Sequence, residues 1–191
     1  MSKRSKQLLK ERWDLEFMIV ESERRSDRRR LRGLFHLAEV RNANNRIYPL
    51  SELKREIDRL VSNGIVAERR LLGELGHPDY THINLERASH VITDLRMEGN
   101  KVFGELEILP TPQGKILEAL VESNVKLGIS SRGLGVLNES DGAYIVQELE
   151  LITWDVVDNP STPKAWLGES KANDLRKNYW KVVSNLFEQV R

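Results

Sequence analysis

Hydrophobic positions in this chain recur mostly at every second residue, and only three stretches show helical spacing. Residues 17–20 and 34–40 read as short strands with a charged loop between them. Residues 42–49 collect Asn, Arg and Pro, the chemistry of a turn. Ser51 is the predicted N-cap of a helix whose apolar face is Leu53, Ile57, Leu60 and Val61 and which ends at Gly64. Short strand pieces are expected around 69–72. Residues 88–95 and 101–109 alternate and are joined by Met97-Glu98-Gly99-Asn100, which predicts a hairpin. Pro112 opens a second helix carrying Ile116, Leu117, Leu120 and Val121, closing near Asn124. Strand pieces at 127–131 and 133–137 are expected to flank a serine-bearing turn, and Asp141-Gly142 predicts a hairpin into 144–155. Residues 172–190 predict an amphipathic C-terminal helix on Leu175, Tyr179, Val182, Val183 and Leu186. Strands dominate the middle and the helices stand apart. The expected class is therefore α+β, a mostly antiparallel sheet or β-barrel core with peripheral helices.

Composition narrows the function. At 191 residues the chain fits one domain with appendages, and it contains no run long and apolar enough to span a membrane. Its start carries no apolar stretch of the secretory kind. The absence of cysteine removes disulfides, thiolate zinc sites and cysteine nucleophiles together. Net charge is +1, yet residues 1–32 hold eleven Lys or Arg against six Asp or Glu. A nucleic-acid arm is one reading of this basic run. A solvated loop or processed tail fits better, because acids interrupt the run and no aromatic interleaves its densest part at 23–32.

The chemistry concentrates in two segments. In Leu127-Gly128-Ile129-Ser130-Ser131-Arg132-Gly133-Leu134-Gly135, two hydroxyls lie between an apolar run and two glycines. Alternation puts Ile129 and Ser131 on one face and Ser130 on the other. With Ile129 facing the core, Ser130 faces a groove, leaving the Ser131 and Arg132 N–H groups to receive an oxyanion. The second segment, Gly73-Glu74-Leu75-Gly76-His77-Pro78, fixes one histidine between a glycine and a proline. His77 reads either as a turn histidine or as a general base. A base needs an orienting acceptor. Asp155, inside a predicted strand where an acid needs a partner, is the candidate, with Glu74 as a local rival. His36 and His90 read as core or sheet residues and His82 as a loop residue. The set His77, Asp79 and His82 matches no established metal spacing, so no metal and no cofactor is expected.

Taken together, these segments resemble the prohead core proteases of tailed bacteriophages, the T-even type of capsid-maturation serine peptidase. The resemblance is carried by Ala38-Glu39-Val40, 42–49, 73–78, 128–135 and Asp155-Val156-Val157 with Pro160-Ser161, over about 34–167. It implies a fold similar to herpesvirus assemblins, with Ser130 as nucleophile and His77 as base. Asp155 aligns with an acid in the same context. A second histidine, His36 or His90, would take its place if the chain followed related viral enzymes. The implied organisation is a basic N-terminal extension at 1–33, open to processing, a protease domain at 34–167 and the C-terminal helix at 168–191. The implied substrates are phage scaffold or core proteins and capsid proteins, inside the immature head in the host cytoplasm, with self-association and self-cleavage. If the chain cuts after glutamate with an aliphatic residue two positions earlier, Ile19-Val20-Glu21 and Leu186-Phe187-Glu188 are self-cleavage candidates, and Arg132 and Arg46 are the candidate cations of the pocket. The competing readings are an inactive head-core component and a nucleic-acid-binding protein; no membrane partner is expected.

Overall fold

Nine strands, two α-helices and one short 3-10 helix (Leu85–Arg87) form among the described residues of the computed structural model, which are 5–13, 18–20, 28–125 and 127–158. In chain order they are β1 (Gln7–Trp13), β2 (Met18–Val20), β3 (Arg30–Leu37), β4 (Arg46–Ile47), α1 (Leu50–Ser62), β5 (Leu72–Glu74), β6 (Ala88–Glu98), β7 (Lys101–Ile108), α2 (Pro112–Glu122), β8 (Gly128–Ser140) and β9 (Ala143–Val157). They form a four-stranded sheet, β1-β8-β9-β4, and a five-stranded sheet, β2-β3-β7-β6-β5. All pairings within these sheets are antiparallel except the two-residue β4–β9 contact. The two sheets are stitched where Leu75, just past β5, bridges Val156 of β9. The α+β, mostly antiparallel class read from the pattern is the observed one.

Both hairpins form where their turn residues predict. Asp141 and Gly142 have φ of 50° and 71° between β8 and β9, the doubly left-handed turn that matches strand twist. Gly99, at φ 59°, turns β6 into β7. The second helix begins at Pro112 as expected, and Thr111, which the sequence reading did not name, caps it: its Oγ1 accepts the Gly114 N–H at 3.0 Å. The first helix differs from its prediction. Pro49, not Ser51, occupies the N-cap, and the Glu39 carboxylate takes the Leu50 N–H at 2.5 Å. A side chain distant in sequence thus satisfies the helix start, so Ser51 is left inside the helix. Val61, expected on the buried face, is exposed, and Glu56 is buried in its stead because it accepts the Leu151 N–H at 2.8 Å.

The predicted serine turn is not a turn. Residues 128–140 run as one strand, with register shifts between Arg132 and Gly133 and between Leu134 and Val136. Bulges absorb the irregularity that the glycines signal. The N-terminal part also differs from its reading as an appendage. The boundary expected at residue 34 falls inside β3, and Gln7–Trp13 adds a strand to the edge of β8. Within the basic run, Arg30 and Arg32 lie directly opposite Glu107 and Glu105; Arg30 pairs with both acids and Arg32 with Glu105, while Arg28 and Arg69 join Glu107. Ion pairs of this kind, two of them cross-strand, account for Arg28, Arg30 and Arg32 of the run. The predicted C-terminal helix, Pro160-Ser161 and the Leu186 tripeptide lie outside the described residues, as do Glu21 and residues 23–27 of the basic run.

Between the sheets and helices the core is built on Phe35, Leu53, Leu60, Ile92, Leu106, Leu117, Ile129 and Trp154, each at most 2% exposed. Trp154 closes its polar end by donating Nε1–H to the Phe35 carbonyl at 3.1 Å. This anchor fixes β9 one residue before Asp155.

Candidate active site

Ser130 and Asp155 are direct register partners on the neighbouring strands β8 and β9, so the pleat holds the two side chains side by side. His77 is brought to them by the segment after β5. Gly73 permits that approach: a Cβ there would lie 2.1 Å from His90 Nε2 and 2.3 Å from the Trp154 carbonyl oxygen. Gly76, at φ 82°, then turns the chain and donates its N–H to the Val156 carbonyl at 2.8 Å. The backbone leading into the histidine is therefore tied to β9 next to Asp155.

The result is a linear array. Ser130 Oγ lies 3.1 Å from His77 Nε2, and His77 Nδ1 lies 2.8 Å from Asp155 Oδ2. A carboxylate on Nδ1 fixes that nitrogen as the protonated one, which leaves the Nε2 lone pair facing the serine hydroxyl. Ser130 and Asp155 are fully buried and the His77 side chain is 6% exposed, so the array works out of bulk water.

Arg132 holds the acid in place. Its guanidinium is fully buried between two carboxylates, Asp155 at 3.1 Å from Nη2 and Glu74 at 3.2 Å. Nε approaches Asp155 Oδ2 at 3.0 Å without the alignment of a hydrogen bond. Nη1 donates to the carbonyls of Tyr80 and His82 at 3.0 and 3.1 Å, pinning the loop that follows His77. Asp155 Oδ1 also accepts the Glu74 N–H at 3.1 Å. Glu74, the rival acid, is committed elsewhere, to Tyr80 OH at 2.6 Å and the Asn84 N–H at 2.9 Å. With both carboxylates on it, Arg132 is no open cation for a substrate.

The remaining histidines lie outside the array. His90 is buried, bonded to Ser89 Oγ at 2.9 Å and the Trp154 carbonyl at 3.0 Å, and burial lowers its pKa to about 4. His36 is buried edge-on against the Tyr48 ring at 4.5 Å, and burial lowers its pKa to about 3. His82 stacks on Tyr80 and Asp79 pairs with Lys10, so neither converges with His77 on a common point. The Ser131 and Arg132 N–H groups belong to a strand with a neighbour on each side, Glu11 and Lys10 of β1 and Trp154 and Thr153 of β9. While β1 is seated, the edge of β8 is covered.

Further residues close around the array, most of them not singled out by the sequence pattern. The Glu11 carbonyl accepts from Ser130 Oγ at 2.5 Å, and the Glu11 carboxylate is buried against Arg46, Tyr48, Asn42 and Asn44. Of these, Arg46 had been named from the sequence, as a candidate cation for a substrate glutamate. The others lay in a segment read as turn chemistry and in a tail read as solvated.

Known proteins give the geometry its context. Residues 20–174 match the model of the family described as prohead core protein serine protease. Over 142 residues, 72% of this chain, the sequence is 33% identical to the prohead core protein protease of Enterobacteria phage T4, and the match takes in 66% of that protein's length, just under two thirds. The solved bacteriophage T4 capsid assembly protease superposes with a TM-score of 0.70 at 30% identity, covering 80% of this chain and 98% of the solved one. The Ser130, His77 and Asp155 array thus sits in a chain that belongs to the prohead core protein serine protease family.

Proposed function

We propose that this chain is a serine endopeptidase of prohead maturation, cutting scaffold or core proteins and capsid proteins inside the immature head within the host cytoplasm, and also cutting itself. The observation that carries the reading is the unbroken path from Ser130 Oγ through His77 to Asp155, at 3.1 and 2.8 Å. In this reading His77 takes the Ser130 proton as Oγ attacks the peptide carbonyl, then delivers it to the departing amine. Asp155 keeps the imidazole in the right tautomer and stabilises its charged form. Water enters the vacated side, loses a proton to His77 and frees the acyl group from Ser130. The backbone N–H groups of Ser131 and Arg132 are proposed as the oxyanion donors; successive N–H groups of a strand point to opposite sides, so a substrate lying on the β1 edge of β8 meets one of the two, and a good donor contributes about 3–4 kcal/mol to the transition state. The likeness to herpesvirus assemblins and self-association in the prohead core belong to the same proposal. So does the organisation into a peptidase unit over 34–167, completed by the N-terminal strands, and a C-terminal appendage at 168–191.

The test is digestion of an unfolded protein substrate by the wild-type chain and by Ser130→Ala, with the products mapped by mass spectrometry. Discrete endoproteolytic products are expected from the wild type, undiminished by chelators, and none from Ser130→Ala. Full activity in Ser130→Ala removes the proposal.

A further inference from the structure

We infer that Gln7–Trp13 is a tethered substrate, seated in the site with Glu11 in an acid-selective pocket and the Glu11–Arg12 bond presented to Ser130. The inference rests on the peptidase reading above and goes beyond it by naming the bond and the pocket.

Three observations carry it. First, the side chain of Glu11 is fully buried at the edge of a sheet, where an ordinary edge strand would bury an apolar residue. A buried carboxylate demands a built set of donors. Here Oε1 receives Arg46 Nη1 at 2.6 Å and Tyr48 OH at 2.7 Å, while Oε2 receives Asn44 Nδ2 at 2.8 Å and also Asn42 Nδ2. The loop is itself shaped for this: Asn42 Oδ1 accepts the N–H groups of Asn44 and Arg46 at 3.0 and 2.9 Å. Asn44 Nδ2 also reaches the Lys10 carbonyl at 3.1 Å, holding the strand's backbone.

Second, the carbonyl of that glutamate is the one at the nucleophile. An Oγ···O distance of 2.5 Å puts the carbonyl carbon no more than about 3.7 Å from Oγ, close to the range of a near-attack geometry. The hydroxyl has one proton and two acceptors, His77 Nε2 and the Glu11 oxygen. A proton held by the carbonyl is withheld from the base, so the seated strand also restrains the site. A small rotation of the Glu11–Arg12 peptide brings carbon toward Oγ and returns the proton to His77.

Third, two residues before Glu11, Leu9 is buried in a notch that exists because residue 135 has no side chain. A Cβ on Gly135 would lie 2.7 Å from Leu9 Cδ1 and 3.1 Å from Val146 Cγ1. The strand therefore shows the site an aliphatic side chain, a spacer and an acid, the pattern Leu9-Lys10-Glu11. Cleavage forms the Ser130 ester of Glu11 and breaks the Glu11–Arg12 C–N bond, with the proton going to the Arg12 amine. Water then releases a Glu11 carboxylate and leaves a chain beginning at Arg12.

The experiment has an intramolecular and an intermolecular arm. Intact-mass analysis of the full chain is expected to find a species beginning at Arg12 in the wild type and none in Ser130→Ala. In trans, a peptide of residues 6–16 is expected to be cut after Glu11, and the same peptide carrying Glu11→Gln at least a hundredfold less efficiently. Arg46→Gln should shrink that ratio at least tenfold; Tyr48→Phe, which keeps the charge and the ring, should shrink it less and serves if Arg46→Gln does not fold. Gly135→Ala should raise KM for the Leu9 peptide at least tenfold and leave a peptide carrying Leu9→Ala within threefold. Proteolysis of protein substrates without cleavage after Glu11, or a Glu/Gln preference indifferent to Arg46 and Tyr48, overturns this inference and leaves the peptidase reading standing. Proteolysis of nothing at all removes both.

Discussion

Asp155 receives the His77 ring, the Glu74 amide and the Arg132 guanidinium, all out of water. Asp155→Asn keeps the shape but offers Nδ1 a donor, or leaves the ring in the wrong tautomer, so kcat is expected to fall about 10⁴-fold with little change in KM. Steady-state kinetics on a peptide substrate checks this, and an unchanged kcat contradicts it. Arg132→Met removes the cation shared by two buried carboxylates, Glu74 and Asp155. Breaking such a buried cluster is expected to cost about 3–5 kcal/mol, read from urea unfolding. At this scale much was legible. Ser130, His77 and Asp155 could be named from residue types, spacing and family resemblance. The buried part of Arg132 could not, because nothing in Ser131-Arg132-Gly133 says that the guanidinium turns inward to Glu74 and Asp155. Glu11 was hidden for the opposite reason: a lone acid among lysines and arginines looks solvated until the distant Arg46 and Tyr48 close on it.

Elements whose signals are local came out as read, and those decided by distant partners did not. The helix start at Pro112 and the Asp141-Gly142 turn are complete within a few residues, and each formed where expected; the Thr111 cap, not read from the sequence, is equally local. Thr111→Ala should therefore cost about 1 kcal/mol of unfolding free energy, measured by chemical denaturation. The start of α1 depends on Glu39, eleven residues upstream, and the β8 strand depends on β1 and β9 gripping both sides of a glycine-rich segment. Sequence periodicity has no access to either. The β1 strand is the sharpest case, since its alternation is Leu9 and Glu11 inward with Lys10 turned to Asp79, and a buried acid breaks the apolar pattern that would have revealed it.

Across the whole molecule, acid should loosen the fold through its buried imidazoles. His36 and His90 have folded pKa values near 3 and 4, lowered by burial, against an ordinary 6.5. The unfolded chain therefore binds protons that the folded one refuses as pH drops below about 6.5. Stability is complete above that pH, falls as pH falls, and stops responding to these groups below about 3 to 4. Between pH 7 and pH 5 the pair should cost about 4 kcal/mol, and His90→Gln should remove roughly half of that slope in urea unfolding. A flat profile would contradict the assignment. The seating of β1 is also a whole-molecule property, since it joins the N-terminal segment to the 42–48 loop and to Ser130. Glu11→Lys, which sets a cation against Arg46, is expected to expel the strand and speed turnover of a glutamate peptide in trans. The most direct test of the central claim is acid-quenched peptide mapping during turnover of an activated ester substrate. An acyl mass increment on Ser130, abolished in Ser130→Ala and strongly reduced in His77→Ala, is the predicted result. Acylation of Ser131 or of another residue, or turnover with no acylated serine, would contradict the account.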